Sequence, residues 1–237
     1  MMWMLDVQNL NFAYGQAHVL RDVSLTVDAG ELVALLGSNG AGKTTLLENI
    51  SGLLTPDSGN ISFEDEDITA MAAHQTWGRG VVHVPEDRKL FPDMSVEETL
   101  SIGTPRKLGS ERRNELRERV FDIFPVLEDR LGQRVGDMSG GQQQMVSMSR
   151  GLMSDPDLLL LDEPTLGLAP DLADNILEAI GRINDQGMTV LLVSQQALDA
   201  LEIAGRAYVL ENGEMTLSGA AEELKAADEV REAYLGM

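Results

Sequence analysis

Three short runs in this chain carry side chains whose types and spacing could handle phosphate. The first, Gly37-Ser38-Asn39-Gly40-Ala41-Gly42-Lys43-Thr44-Thr45, fits the pattern G-x-x-x-x-G-K-[ST] and lies between an apolar run and a helix-patterned segment. The pattern needs that context: glycines let main-chain N–H groups wrap a phosphate at the positive end of a helix, Lys43 adds charge, and Thr44 offers a hydroxyl to Mg²⁺. The second, "LLLLDEP", ends an apolar run with Asp162 and Glu163. Strand alternation is expected to point these carboxylates in different directions, Asp162 toward a hydrated Mg²⁺ and Glu163 toward the water that attacks a γ-phosphate. The third, "MSGGQQQ", sets Ser139, Gly140, Gly141 and Gln142 at the start of a helical run. Small residues and a hydroxyl there make either a second anion site or an ordinary helix cap with Ser139 as N-cap.

The elements that must position these runs are legible from hydrophobic period. "MLDVQNLNFAY" and "VSLTV" alternate as strands of an antiparallel sheet, closed by a turn at Ala29 and Gly30. "ELVALLG", "GVVHVP", "PDLLLLDEP" and "GMTVLLVS" read as buried strands separated by helical segments, the signature of a mostly parallel sheet. A helix is expected over "GKTTLLENISGLL", with Leu46, Leu47, Ile50, Leu53 and Leu54 on its apolar face. From about Ser95 to Met153 the pattern is helical, with Leu116, Val120, Ile123, Phe124 and Leu127 forming one face of "SERRNELRERVFDIFPVL". Asn212-Gly213 reads as a hairpin turn, and the end of the chain as a short Glu- and Ala-rich helix.

Composition narrows the function. The 237 residues, 43% of them hydrophobic, can bury one substantial core, and no apolar run approaches the roughly 20 residues of a membrane-spanning helix. The start of the chain lacks the basic and apolar pattern of a signal peptide, and the absence of cysteine excludes disulfides and thiolate metal sites. A formal charge of −21, from 18 basic and 39 acidic residues, repels polyanions, so no nucleic-acid partner is expected. His18, His74 and His83 fall outside every motif and read as solvated or packed side chains.

Taken together, the three runs resemble the ATP-binding-cassette ATPases over nearly the whole chain, from the strand pair around Tyr14 to the final hairpin. The resemblance implies an α/β P-loop NTPase fold with a RecA-like core, an N-terminal antiparallel β subdomain and an inserted helical subdomain. It implies a single domain over 1–237, in which 1–91 and 155–237 form the β subdomain and core and 92–154 the helical lobe. ATP and Mg²⁺ are the implied cofactors. Tyr14 falls where the family stacks an aromatic on adenine. Ser139, Gly140, Gly141 and Gln142 of one subunit are expected to close over the γ-phosphate held by its partner, giving two sites per head-to-tail dimer.

Three positions depart from the family pattern. Gln195 stands where a histidine usually senses the γ-phosphate; its amide can donate a hydrogen bond but cannot become a cation. Glu86, in "VPEDRKLF", replaces a glutamine that links Mg²⁺ to the helical lobe, and a carboxylate is a good hard ligand. Ala169 stands where an aspartate is common. The segments "VPEDRKLFPDMSVEETL", "DEPTLGLAPDL", "VSQQALDALEIAGRAYVLENGE" and "VREAYLGM" look like the shorter ATPase subunit of branched-chain amino acid importers. That branch implies two transmembrane permease subunits, a second ATPase subunit (a heterodimer, with a homodimer as the alternative), and a solute-binding protein reached indirectly. It also implies a place on the cytoplasmic face of the membrane. The same role for urea or short amides is the alternative, and a non-transport cassette ATPase the alternative of another class. A cassette for DNA repair would carry a long coiled-coil insertion, and a translation factor a tandem pair with a basic linker; this chain has neither.

Overall fold

An alternating opening and later runs of unbroken apolar residues require two kinds of sheet, and the structure, a computed structural model that describes residues 3–226, contains both. β1 (Leu5–Tyr14) and β2 (Ala17–Val27) pair antiparallel; β3 (Leu32–Leu36) then leads through the glycine-rich loop into α1 (Lys43–Ile50). β4 (Ser58–Phe63), β5 (Glu66–Asp67), α2 (Ala73–Trp77) and β6 (Val81–Val84) follow. The helical stretch consists of α3 (Val96–Gly103), α4 (Ser110–Ile123), two 3-10 turns (Pro125–Arg130 and Val135–Asp137) and α5 (Gly140–Leu152). The chain returns to the core through β7 (Leu158–Asp162), α6 (Pro170–Asp185), β8 (Thr189–Ser194), α7 (Ala197–Ile203), the β9 (Arg206–Glu211) and β10 (Glu214–Ala220) hairpin, and α8 (Ala221–Ala226).

The strands form an antiparallel sheet in the order β2-β1-β4-β5 and a second sheet in the order β10-β9-β3-β8-β7-β6, parallel from β9 to β6. Alternate residues of the parallel strands enter two different cores. Ala34, Leu36, Leu159, Leu161, Val190 and Leu192 face the helices, whereas Val33, Leu35, Leu158, Leu160, Leu191 and Val193 face α1 and the antiparallel sheet. Burial on both faces explains why these strands read as continuous apolar runs while β1 and β2 alternate. The helical stretch is continuous with the first of these cores through Val96, Leu100, Leu116, Val120 and Val146. Among the described residues no helix is long and apolar enough to cross a membrane.

Several expectations need correction. α1 stops at Ile50, so Leu53 and Leu54 are not on it, and Leu53 is 58% exposed; Gly52 sits at φ 73°, a left-handed conformation that ends the helix. The helix from Ser110 breaks at Phe124, because the residue before Pro125 is steered away from helical torsions, and Leu127 is buried from a 3-10 turn instead. β4 and β5 carry too few apolar residues to have been read as strands; β4 is specified by pairing with β1, and β5 by pairing with β4. The Asn212-Gly213 hairpin is present, both residues having positive φ. The "VREAYLGM" segment lies outside the described residues.

The two sheets are also joined by a polar bond. Arg206 on β9 donates to both oxygens of Glu31, at 2.8 and 2.7 Å, to Thr26 O of β2 at 2.9 Å and to the Tyr208 hydroxyl at 2.6 Å. Burial is the largest influence and raises the Glu31 pKa, but the Arg206 hydrogen bonds, the Asp28 N–H and the Arg206 charge together outweigh it and hold the carboxyl below its ordinary value of 4.5. A carboxyl lowered in the folded state adds stability that is present above its unfolded pKa and lost as pH falls through the folded one. Arg206→Met, which leaves Glu31 unpaired, should cost about 2 kcal/mol in urea unfolding at pH 7. The loss should shrink as pH falls below about 4.5; a loss independent of pH would place the effect in packing.

Candidate functional site

The carboxyl ends of parallel strands lie along one edge of a sheet, which is where α/β folds collect their binding residues. Register sets which residues meet there: Leu36 of β3 pairs with Ser194 of β8, and Asp162 of β7 pairs with Val193. The glycine-rich loop, Asp162-Glu163, the Pro85–Glu86 segment and Gln195-Gln196 therefore all leave the sheet on the same edge.

The loop from Gly37 to Thr45 is shaped by close approach. A side chain on Gly37 would lie 2.4 Å from Leu210 O, and Gly42, at φ 110°, passes 2.9 Å from Leu20 Cδ2 as measured to a would-be Cβ. Gly42 caps α1 with no side-chain acceptor, and no acidic residue occupies the first turn. Among the described residues no side chain caps the first N–H groups of α1, an arrangement suited to an anion.

Lys43 is 5% exposed and folds back over its own loop. Its Nζ donates to Gly37 O at 2.7 Å and Ser38 O at 3.2 Å, and lies 3.0 Å from Glu163 Oε1. Glu163, 6% exposed, accepts from the Gln195 main-chain N–H at 3.0 Å through Oε2. Strand alternation does not explain its direction: Glu163 is one residue past β7 with φ 44°. A left-handed, non-glycine residue ahead of proline is strained, and here the strain turns the carboxylate away from that of Asp162.

Asp162 is 1% exposed, and neither side-chain oxygen has a hydrogen-bond partner among the described residues. Burial pushes its pKa up from 3.8 to about 6; the Thr44 hydroxyl beside it lowers it, Glu163 and Glu86 raise it, and Lys43 lowers it. Asp162, Thr44 and Glu86 line one cleft of about 870 Å³, with Glu48, Asp87, Lys89 and His83. Two orphaned carboxylate oxygens beside a threonine hydroxyl and a second carboxylate fit a hard cation with oxygen ligands. Among the described residues no group of three or more His, Cys, Asp or Glu is placed to hold a metal ion. Burial also drives His83 down to about 4, with Asp87 opposing, so this histidine is neutral and packed against the Ser51 hydroxyl at 3.4 Å.

Not every sequence-selected residue joins this cleft. Tyr14 is 51% exposed, edge-on to Phe12 at 4.9 Å between centroids, and its hydroxyl approaches Glu48 Oε2 at 3.4 Å. Ser139 and Gly140 are exposed at the start of α5 and do not line it. Ser139 Oγ accepts from Gln142 N at 3.3 Å while Gln142 Oε1 accepts from Ser139 N at 3.1 Å, a reciprocal cap. The serine proton remains free to donate. Gly141 packs so closely on Leu172 that a Cβ would lie 2.8 Å from it. Sequence reasoning missed the bond from Thr165 Oγ1 to Gln196 Oε1 at 3.0 Å, which ties the segment after Glu163 to the segment after β8. The doubled glutamine was its visible trace.

Known proteins share the fold of this chain and much of its sequence. Residues 20–166 match the family model described as ABC transporter. The high-affinity branched-chain amino acid transport ATP-binding protein BraG of Pseudomonas aeruginosa is 42% identical over 233 residues, spanning 98% of this chain and 100% of BraG. The lipopolysaccharide export system ATP-binding protein LptB of Escherichia coli K12 is 34% identical over 236 residues, 98% of this chain and 97% of LptB. The crystal structure of the ADP conformation of MJ1267, an ATP-binding cassette of an ABC transporter, superposes with a TM-score of 0.87 at 27% identity, covering 100% of both chains.

Because the Asp162 pKa is raised on folding, the folded protein binds a proton that the unfolded chain does not between about pH 6 and 3.8, and this residue costs stability above that window. In EDTA, Asp162→Asn should therefore raise stability by about 3 kcal/mol at pH 7.5. The difference should vanish as the pH is lowered through the window. A thermal unfolding series from pH 7.5 to about 3.5 checks this, and equal curves throughout would mean that the carboxylate finds a partner.

Proposed function

Since the chain belongs to the ABC transporter family and is an ATP-hydrolysing cassette, we propose that it powers a branched-chain amino acid importer. The observation that carries this is the end-to-end likeness to BraG at 42%, against 34% for LptB. The departures Glu86, Ala169 and Gln195 favour the same branch. In this reading the cassette pairs head to tail with a second ATPase subunit and is held to the cytoplasmic face of the membrane by two permease subunits. Uptake of urea or a short amide through the same architecture is the variant that the permeases would decide.

The residues divide the work as follows. The N–H groups of Gly37 to Thr45 and the first turn of α1 bind the ATP phosphates, with Lys43 supplying charge. Tyr14, exposed and braced by Phe12, offers a ring for adenine. Thr44, Asp162 and Glu86 would hold Mg²⁺, which when bound neutralises phosphate charge. Phosphate arriving at Lys43 competes with Glu163 for the ammonium, and the released Glu163 carboxylate, still held by Gln195 N, accepts the proton of the attacking water. The Gln195 amide donates to the γ-phosphate without a change of charge. Ser139, with Gly140, Gly141 and Gln142, reaches the phosphate bound by the partner subunit.

Glu163→Gln should leave ATP bound at least as tightly and slow hydrolysis by roughly a hundredfold or more, because it removes the proton acceptor and a competitor for Lys43 but nothing that holds nucleotide. Ordinary turnover would take Glu163 out of that role. The transport assignment is tested by capturing the tagged protein from gently solubilised membranes and identifying what co-purifies. Two multi-span permeases and a second cassette support it; exclusively water-soluble partners would overturn the uptake reading and leave the nucleotide chemistry standing.

A further inference from the structure

The segment that carries Glu86 is tied to α5 more firmly than a surface loop requires. Arg88 and Lys89 both have positive φ, 62° and 45°, a strained pair of left-handed non-glycine residues in a turn where Arg88 N donates to Pro85 O at 3.1 Å and Lys89 N to Asp87 O at 2.7 Å. Their carbonyls point at α5. Arg150 donates to Arg88 O at 2.9 Å and to Lys89 O at 2.7 Å, and Ser147 Oγ donates to Arg88 O at 3.2 Å. In return Arg88 Nε donates to Gln144 Oε1 at 3.0 Å. Gln144 is 2% exposed and Ser147 fully buried. Gln144, Ser147 and Arg150 recur every three residues, so one side of the helix is polar toward this loop.

From this we infer that Arg150, with Gln144 and Ser147, is a positioning residue for nucleotide chemistry: it clamps residues 86–89 to α5 and thereby fixes Glu86 in the cleft beside Asp162 and Thr44. The inference rests on the proposed Mg²⁺ role of Glu86. The guanidinium is suited to the task because its planar fork reaches two successive carbonyls at once, which an ammonium cannot do with the same geometry. The clamp also makes the Glu86 loop and the helix beginning at Ser139 one mechanical unit, so a cation drawn to Glu86 bears on the element that reaches the partner subunit.

Calorimetric titration of AMP-PNP into the full chain, once with Mg²⁺ and once with EDTA, separates positioning from general damage. In the unsubstituted chain Mg²⁺ should tighten binding. Arg150→Met should lose roughly five- to tenfold of that gain while its affinity in EDTA stays the same, and hydrogen exchange across 86–90 should quicken. Arg150→Lys should recover part of the gain. Gln144→Met, which removes the acceptor for Arg88 and leaves Arg150 in place, should reproduce the loss in smaller measure and serves if Arg150→Met does not fold. A full Mg²⁺ gain in both variants, or an equal loss in EDTA, overturns the clamp. An absence of any Mg²⁺ gain in the unsubstituted chain would instead overturn the cation site, and the clamp with it.

Discussion

A lysine ammonium and a glutamate carboxylate buried together, Lys43 and Glu163 at 3.0 Å, are the constraint from which the rest of the site follows. Neither charge can be left alone at 5% and 6% exposure without a cost of several kcal/mol, so each element that brings one must be registered against the element that brings the other. Lys43 comes from the first turn of α1 and Glu163 from just beyond β7, with β8 lying between β3 and β7 in the sheet. The sheet order and the parallel register are what close that gap. The same pairing leaves the site ready for exchange, because an arriving phosphate can replace the carboxylate as the lysine's counter-ion.

β8 contributes more than spacing. Its last residue gives way to Gln195, whose main-chain N–H holds the far oxygen of Glu163, and to Gln196, whose side chain accepts from Thr165. Hence the orientation of Glu163 does not depend on which side chain occupies position 195. This offers a physical reason why an uncharged amide can stand where a histidine is usual: the main chain positions the carboxylate, and on the proposed reading the side chain has only amide hydrogen bonds to offer the phosphate.

Much of this was legible in the sequence. The glycine loop, the Asp-Glu pair and the buried strands were readable because their signals are local: fixed spacing of Gly, Lys and Thr, or apolar runs that only a doubly covered strand explains. What escaped was specified by contacts distant in sequence. β4 forms by pairing with β1 across some fifty residues of chain, and nothing in "SGNISF" itself demands a strand. The direction of Glu163 depends on a left-handed torsion that no residue type announces, and the anchoring of Arg88 and Lys89 depends on polar residues of α5 that look, in sequence, like an interruption of an apolar face.

The charge distribution of the cleft opposes a bare triphosphate. Glu48, Glu86, Asp87 and Asp162 face it, with Lys89 as its one cationic wall residue and that lysine already paired with Asp87 at 2.8 Å. In a chain of net charge −21 a polyanionic ligand meets repulsion at long range and again at the wall. Lys43 and the amides of α1 offset one side of the phosphates only. The orphaned oxygens of Asp162 lie on the other side, where burial and two neighbouring carboxylates already push its pKa to about 6. A divalent cation entering with the nucleotide would relieve both repulsions at once. On the proposed reading, the site would thus oppose the bare polyanion and favour its metal complex, through the same buried carboxylate that destabilises the empty fold.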